Sequence, residues 1–389
     1  MHQCIESEPE RKNMNTGTNF CQIDAGKTAR RKAASRLFLA FCIAGLGLPM
    51  NASDSRYATF SAPGAGTAAG QGTWASANNA SGQSTGVYYD ANFGHHGFLR
   101  DKGGDIVTFD APGACGTTPF GISPSGVIVG TYLDGSCTYF HGFLRHPGGA
   151  VTTFDAPGAG TGYSQGTVAY SINPSGTIAG TYLDANYVGH GFLRDPSGVF
   201  TTFDVPGAAS LSIPYPQGLS PSGAITGNYF DANNVSHGFL RTPDGAIKTF
   251  DVPGAGTGAY QGTFVSGMNQ WGTILGYYID SGNVGHSYVR APGGAITKFD
   301  ISGAGTAAGQ GTYTSNINAS GEIVGTYVDG NNVQHGYQGL PGALKALNAP
   351  GAGTAPGQGS ATQGSNVFGE IVGFYIDGAG VLHGFVWTP

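Results

Sequence analysis

QGTFVSGMNQWGTILGYYIDSGNVGHSYVRAPGGAITKFDISGAG, residues 261–305, is the stretch on which the fold turns. Its markers are Gln261–Gly262–Thr263, Gly272–Thr273–Ile274, Tyr278, Asp280, His286, Arg290, Gly293–Gly294 and Phe299–Asp300, closed by Gly303–Ala304–Gly305. The same string recurs down most of the chain. Its histidine falls at His96, His141, His190, His237, His286, His335 and His383, in steps of 45, 49, 47, 49, 49 and 48 residues. Self-similarity at this period signals a solenoid, an array or a propeller.

Within one unit the pattern predicts four short strands. In the unit beginning at Gly166 these are Gly166–Asn173, Thr177–Leu183, Gly191–Arg194 and the Phe-Asp strand ending at Asp204. Pro174–Ser175–Gly176 turns the chain between the first two, and Gly at the third place suits a positive φ. The spacing leaves almost no room for a helix. Seven such units predict an all-β fold, a seven-bladed β-propeller of four-stranded antiparallel blades. Inner strands are expected to start near Gly72, Thr117, Gly166, Gln217, Gly262, Gly311 and Gly359. The last unit ends at Val386–Trp387 without a Phe-Asp strand of its own, and the orphan strand Tyr57–Phe60 is expected to close it, leaving no open edge. The competing architectures are an extended β-solenoid or another blade count. A solenoid would need distinct caps, and none is visible.

Composition agrees. Gly is 69 of 389 residues, as tight turns demand, and 19 Tyr and 22 Phe recur at fixed places, which argues for packing rather than disorder. The first 53 residues hold seven of the 17 Lys/Arg and four of the 23 Asp/Glu, which leaves ten and nineteen, a net charge of −9, for the rest. Such an acidic body is a poor partner for nucleic acid or an anionic bilayer. Within residues 1–53, Arg30–Arg31–Lys32 and Arg36 precede an apolar run from Leu37 to Leu48 and the small residues Asn51–Ala52–Ser53. That is the order of a secretory signal, too short to span a bilayer. Residues 1–53 are therefore expected to be a tail and targeting segment, and 54–389 the exported domain, secreted or periplasmic, monomeric and without a transmembrane span.

One polar constellation recurs. If Arg100 lies across from Ile106 in a tight hairpin, His96 meets Asp110. The fourteen-residue separation recurs in His141 and Asp155, His190 and Asp204, His237 and Asp251, and His286 and Asp300. A second acid ends the preceding strand: Asp90, Asp134, Asp184, Asp231, Asp280, Asp329 (before His335) and Asp377 (before His383). An Asp-His-Asp cluster is thus expected at one end of each blade. A catalyst needs one site, whereas a copy in every unit is what a structural latch would show. No catalytic residue, metal ligand or cofactor is assigned. Calcium is the metal that oxygen-rich loops would suit best, although no dense Asp-rich loop of that kind occurs.

Gly97, Gly142, Gly191, Gly238, Gly336 and Gly384 follow the histidines, which implies close backbone approach or a bulge. Ser287 breaks that pattern, and it points away from His286 on the strand, so no Ser-His dyad follows. Cys115 and Cys137 are placed on loops at the same end of one blade and are expected to form a disulfide. Phe93, Tyr139, Phe140 and Tyr187 vary at the histidine end of the blades, the face where a ligand surface would be written. Glu322 and Glu370 follow the same turn in neighbouring units and read as drift between repeats.

The His-Gly-Phe-Leu-Arg strings His96–Arg100, His141–Arg145, His190–Arg194 and His237–Arg241, with Gly176–Gly180 and Gly321–Gly325, resemble the HAF-type probable extracellular repeat family of bacterial proteins. Family copies usually have Ala where this chain has Gly after the histidine. The resemblance spans almost everything from Tyr57 onward and implies an exported β-repeat protein, with no activity to carry over. Two functions compete. One is an exported binding or structural module whose partner is a glycan, a peptide or a cell-envelope protein. The other is a propeller enzyme, a lyase or hydrolase acting on polysaccharide or a small cyclic substrate, which would need unique polar residues converging near the axis.

Overall fold

The computed structural model describes residues 56–209 and 212–389, so the targeting segment read in 1–53 lies outside the described residues. Every regular element within them is a β-strand, 28 in all, numbered β1 to β28 in chain order. β1 (Tyr57–Phe60) precedes unit one, the antiparallel run β2 (Gly72–Asn78), β3 (Ser84–Tyr89), β4 (His95–Arg100) and β5 (Ile106–Phe109). Units two to six open at β6 (Gly116–Ile122), β10 (Gly166–Ile172), β14 (Tyr215–Leu219), β18 (Gly262–Met268) and β22 (Gly311–Ile317), each followed by three antiparallel neighbours. Unit seven has three strands of its own, β26 (Gly359–Ser365), β27 (Ile371–Ile376) and β28 (Leu382–Trp387). Its fourth is β1, whose Tyr57–Phe60 pair antiparallel with Trp387–Gly384.

β14 begins at Tyr215 opposite Asn228, ahead of the expected start near Gln217. The ladder slips between Tyr215 and Gly218, so Pro216 and Gln217 fall in a bulge, the one interior place where a missing N–H is tolerated.

Successive units meet in a parallel bridge between the opening glycine of one and the third strand of the unit before: Gly72 with Leu382, Gly166 with Phe140, Gly262 with Ser236, Gly311 with Gly285, and Gly359 with Gln334. Gly72 has φ +116°, and a Cβ there would lie 2.0 Å from the Leu382 carbonyl oxygen, so no other residue fits. Among the described residues no such bridge joins units one and two or units three and four. At those two junctions the opposite strand ends are tied instead, Asn79 Nδ2 donating to the Ser123 carbonyl at 3.1 Å and Asn173 Nδ2 to that of Ser220 at 3.1 Å. The junction of units seven and one carries both devices, since Asn366 Nδ2 also donates to the Asn79 carbonyl at 3.0 Å.

The core lies between units. Phe98, Phe143, Phe192, Phe239, Tyr288, Tyr337 and Phe385, one per unit at the same place in the third strand, are fully buried. Burying each such side chain stabilises by roughly 1.5–3 kcal/mol. The preceding unit's last strand sets a ring against several of them: Phe60 to Phe98 at 5.8 Å and Phe109 to Phe143 at 6.1 Å, both edge-on. Arg100, Arg145, Arg194, Arg241 and Arg290 lie over those rings from the next unit, at 5.2, 4.9, 4.9, 5.3 and 4.9 Å. The glycine after the histidine makes room for the same ring in five units, whereas Gly336 meets the Leu347 carbonyl. A Cβ on Gly97 would come 2.7 Å from Phe109 Cζ, and one on Gly142 2.5 Å from Phe154 Cε2. Ser287 has instead a buried hydroxyl that donates to the Thr312 carbonyl at 3.0 Å.

Candidate functional site

The hairpin register sets His96 beside Asp110. Phe98 pairs with Thr108 and Arg100 with Ile106, and His96 Nδ1 donates to Asp110 Oδ2 at 2.9 Å. The same bond joins His141 to Asp155 at 2.9 Å, His190 to Asp204 at 2.6 Å, His237 to Asp251 at 2.8 Å and His286 to Asp300 at 2.9 Å. In unit six Asn348 Oδ1 accepts from His335 Nδ1 at 3.2 Å, and in unit seven β1 brings Ser61 Oγ to His383 Nδ1 at 3.2 Å.

The other ring nitrogen faces the second acid. Nε2 of His96, His190, His237 and His286 lies 3.6, 3.8, 3.6 and 3.5 Å from Asp90, Asp184, Asp231 and Asp280. Where the first partner is neutral, the ring leans the other way, to 3.2 Å from Asp329 and 3.1 Å from Asp377. Unit two departs from expectation, because no ion pair joins His141 and Asp134. The loop there is one residue longer, and Asp134 turns to it, accepting from the Ser136 hydroxyl and from the backbone N–H of Thr138 at 2.7 Å. These bonds, the Ser136 hydroxyl foremost, hold the Asp134 carboxyl at about 2.

Each histidine also lies flat on a tyrosine, which the repeat marks at Tyr278 but to which the sequence assigns no role. Tyr88, Tyr132, Tyr182, Tyr229, Tyr278, Tyr327 and Tyr375 stack on the seven imidazoles at 4.7–5.3 Å between centroids. Each is its histidine's direct cross-strand neighbour, as Tyr88 is of His96. Burial raises the Tyr88 phenol, while a bond with Thr108 on the last strand works against the rise. The cluster thus ties three strands of one unit through a stacked ring and one or two charge-assisted bonds. In units one to six it holds no nucleophile, and in unit seven alone a hydroxyl, that of Ser61, touches the histidine. Among the described residues, no group of three or more His, Cys, Asp or Glu side chains is placed to hold a metal ion.

The second acids also shape the loops. Asp90 Oδ1 accepts from the N–H groups of Asn92 at 2.8 Å and Gly94 at 2.7 Å, and the Gly94 bond leads in holding its carboxyl below the usual range. Three residues after each acid the backbone is left-handed. Gly380, Asn234, Asn283 and Asn332 occupy that place in units seven, four, five and six, but Phe93, Cys137 and Tyr187 occupy it in units one, two and three. The Phe93 ring is 54% exposed and Tyr187 42%. Tyr260, 68% exposed at φ +63°, holds the place that Gly70, Gly309 and Gly357 take in the lead-in loops of other units. Tyr163 is exposed beside them, and its carbonyl accepts from the Tyr187 hydroxyl at 3.1 Å. Tyr139 and Phe140, expected on the same exposed face, are half-buried. Tyr139 packs on His141 at 4.7 Å, and Phe140 is the first residue of its strand, bridged to Gly166.

A glutamine just before the first strand fastens the lead-in loop to the acid loop of the same unit. Gln71 Oε1 accepts from the Ala68 N–H at 3.0 Å, and its Nε2 donates to the Ala91 carbonyl at 2.9 Å. Gln261 and Gln310 donate to Asn283 and Asn332 Oδ1, each at 3.0 Å. In unit two Cys115 stands in the place of that glutamine and is bonded to Cys137.

No protein-family model matches the sequence, and no curated protein matches it. Solved structures similar in fold include a virginiamycin B lyase from Staphylococcus aureus, 13% identical over 86% of this chain and 100% of that one, with a TM-score of 0.51. A structure from an analysis of two prolyl endopeptidases is 11% identical over 79% of this chain and 46% of that one, with a TM-score of 0.50. TolB from Acinetobacter baumannii is 12% identical over 79% and 80%, with a TM-score of 0.41. At such identity the similarity speaks of a propeller-like all-β fold alone. No helix among the described residues is long and apolar enough to cross a membrane.

Proposed function

We propose that this chain is an exported binding protein of the HAF-type repeat kind, built as a closed ring of seven four-stranded blades. The pairing of β1 with β28 and the Gly72 bridge to Leu382 support closure. The Cys115–Cys137 disulfide supports export, since such bonds persist in oxidising compartments. The Tyr-His-Asp clusters are read as structural latches because every unit carries one.

The ligand surface is assigned to the end of the blades that carries the acid loops. One observation carries this: Phe93, Tyr187 and Tyr260 are exposed aromatics held in left-handed backbone where other units place Gly or Asn, Cys137 and Ser164 excepted. A side chain there costs roughly 1–2 kcal/mol, and strain kept at an exposed position points to use. Exposed rings beside acidic loops suit the faces and hydroxyls of a glycan. The test is binding of soluble glycans and peptides to the wild type and to the triple variant F93N/Y187N/Y260N. A glycan bound by the first and lost by the second, with folding intact, is expected. Equal binding by both, or binding of peptides alone, would refute the assignment.

A further inference from the structure

The deepest row of each unit crosses its first three strands at the end away from the histidines. In unit three it reads Ile172, Ile178, Arg194, and in unit two Ile122, Ile128, Arg145. The middle residue is a fully buried isoleucine in units two to six, Ile128, Ile178, Ile225, Ile274 and Ile323, and Ile371 in unit seven is 1% exposed. Unit one differs: its row is Asn78, Ser84, Arg100, and Ser84 is 1% exposed. In unit two the residue preceding that isoleucine faces unit three. Val127 packs against the cluster that holds Ile178, and by the same placement Glu370 faces Asn78, Ser84 and Arg100. The Asn78 amide donates to the Glu370 backbone carbonyl at 2.9 Å, and the Glu370 carboxylate acts electrostatically on Arg100.

Three oxygens on residues of this seam have no hydrogen-bond partner among the described residues: Asn78 Oδ1, Ser84 Oγ and Glu370 Oε1, all buried. Arg100 Nε is also unpaired, but so are Arg145, Arg194 and Arg241 Nε beneath their aromatic rings, so only the oxygens are special to this seam. Leaving a buried polar atom unpaired costs about 1–3 kcal/mol each, and three together call for a shared partner. Two of the oxygens only accept, and the third can donate. A water molecule gives two hydrogens and takes two, which matches two acceptors plus a hydroxyl or guanidinium donor. A metal cation would find the same oxygens, but the Arg100 charge beside them opposes it.

We propose that Asn78, Ser84 and Glu370 form a buried site for one water molecule that links the last unit to the first. The junction where the two chain ends meet is then the one hydrated seam in a ring whose other rows are apolar at the middle position. This holds whatever the opposite face binds.

A high-resolution crystal structure of the full chain should show one ordered water about 2.7–3.2 Å from all three oxygens. Direct bonds among the three side chains would overturn the proposal, as would contacts near 2.4 Å, the mark of a cation. In solution, Ser84→Ile fills the site and strands the other two oxygens, so Tm should fall by at least about 2 °C. N78I/S84I/E370V copies the Ile172 and Ile178 row facing Val127 and should restore Tm to the wild-type value or above. A rise in Tm for Ser84→Ile alone would overturn the proposal.

Discussion

Unit two offers a controlled exchange of a covalent lock for a hydrogen-bonded one. Cys115 stands where five other units have glutamine, and Cys137 stands where units five and six have Asn283 and Asn332. The double change C115Q/C137N therefore installs the Gln310–Asn332 pair of unit six, while C115S/C137S removes the lock. The two cysteines are 22 residues apart in sequence. In the chain-entropy account, a loop of that size stabilises by about 3 kcal/mol. The glutamine pair brings about two hydrogen bonds, each worth roughly 0.5–1.5 kcal/mol. The expected order is oxidised wild type, then C115Q/C137N, then C115S/C137S, with the middle variant recovering about a third or more of the loss. Guanidinium denaturation followed by tryptophan fluorescence, with and without reductant, measures the first interval. Hydrogen exchange in residues 111–140 tests whether the loosening is local. The reasoning fails if reduction leaves the wild-type midpoint unchanged, or if the glutamine variant is no more stable than the serine one.

Other outcomes follow from the same geometry. F93N and Y187N adopt the residue that units four to six use at that left-handed place, and each should raise stability by about 0.5–1 kcal/mol in chemical denaturation. Gly142→Ala puts a Cβ 2.5 Å from the Phe154 ring and should cost about 1–3 kcal/mol by the same assay. The loop carboxyls Asp90, Asp134, Asp184 and Asp231 all lie below their ordinary value, Asp134 at about 2. A depressed carboxyl stabilises above its unfolded value, about 4, and the benefit is lost as pH falls toward the folded one. Tm should therefore decline between about pH 4 and pH 2, and D134N should flatten the lower part of that decline. Burial lowers the His95 imidazole, so the fold favours the neutral ring, and stability should fall as pH drops below about 6.5. H95Q should remove that component from a Tm-against-pH curve.

Strand order and hairpin register were legible because side chains alternate and the turns are short. Once Arg100 is set against Ile106, the His96–Asp110 bond follows, and so does the need for Gly97. The stacked tyrosines escaped because their register crosses a longer loop. Yet Tyr88, Tyr132, Tyr182, Tyr229, Tyr278, Tyr327 and Tyr375 each stand two residues before an aspartate, a spacing visible in the sequence. His141 was paired with Asp134 by analogy, and one added loop residue was enough to break the contact. Phe140 varies as a loop residue would, yet it opens β8 (Phe140–Arg145) at the place that His95 and Gly189 hold, one residue before the histidine. Glu370 read as drift because its meaning depends on which unit it faces. Only the junction of the two chain ends sets it against Ser84, and no local pattern could carry that.

The pairing of β1 with β28 has a mechanical corollary. The Thr388 N–H donates to the Arg56 carbonyl at 2.9 Å, so Arg56 and Thr388 lie side by side at the end of one strand pair. A tether, fused enzyme or surface anchor joined at Arg56 or at Thr388 would hang from the same strand pair. Pulling on Arg56 and Thr388 would peel that strand pair apart like a zip, before any load reached β2.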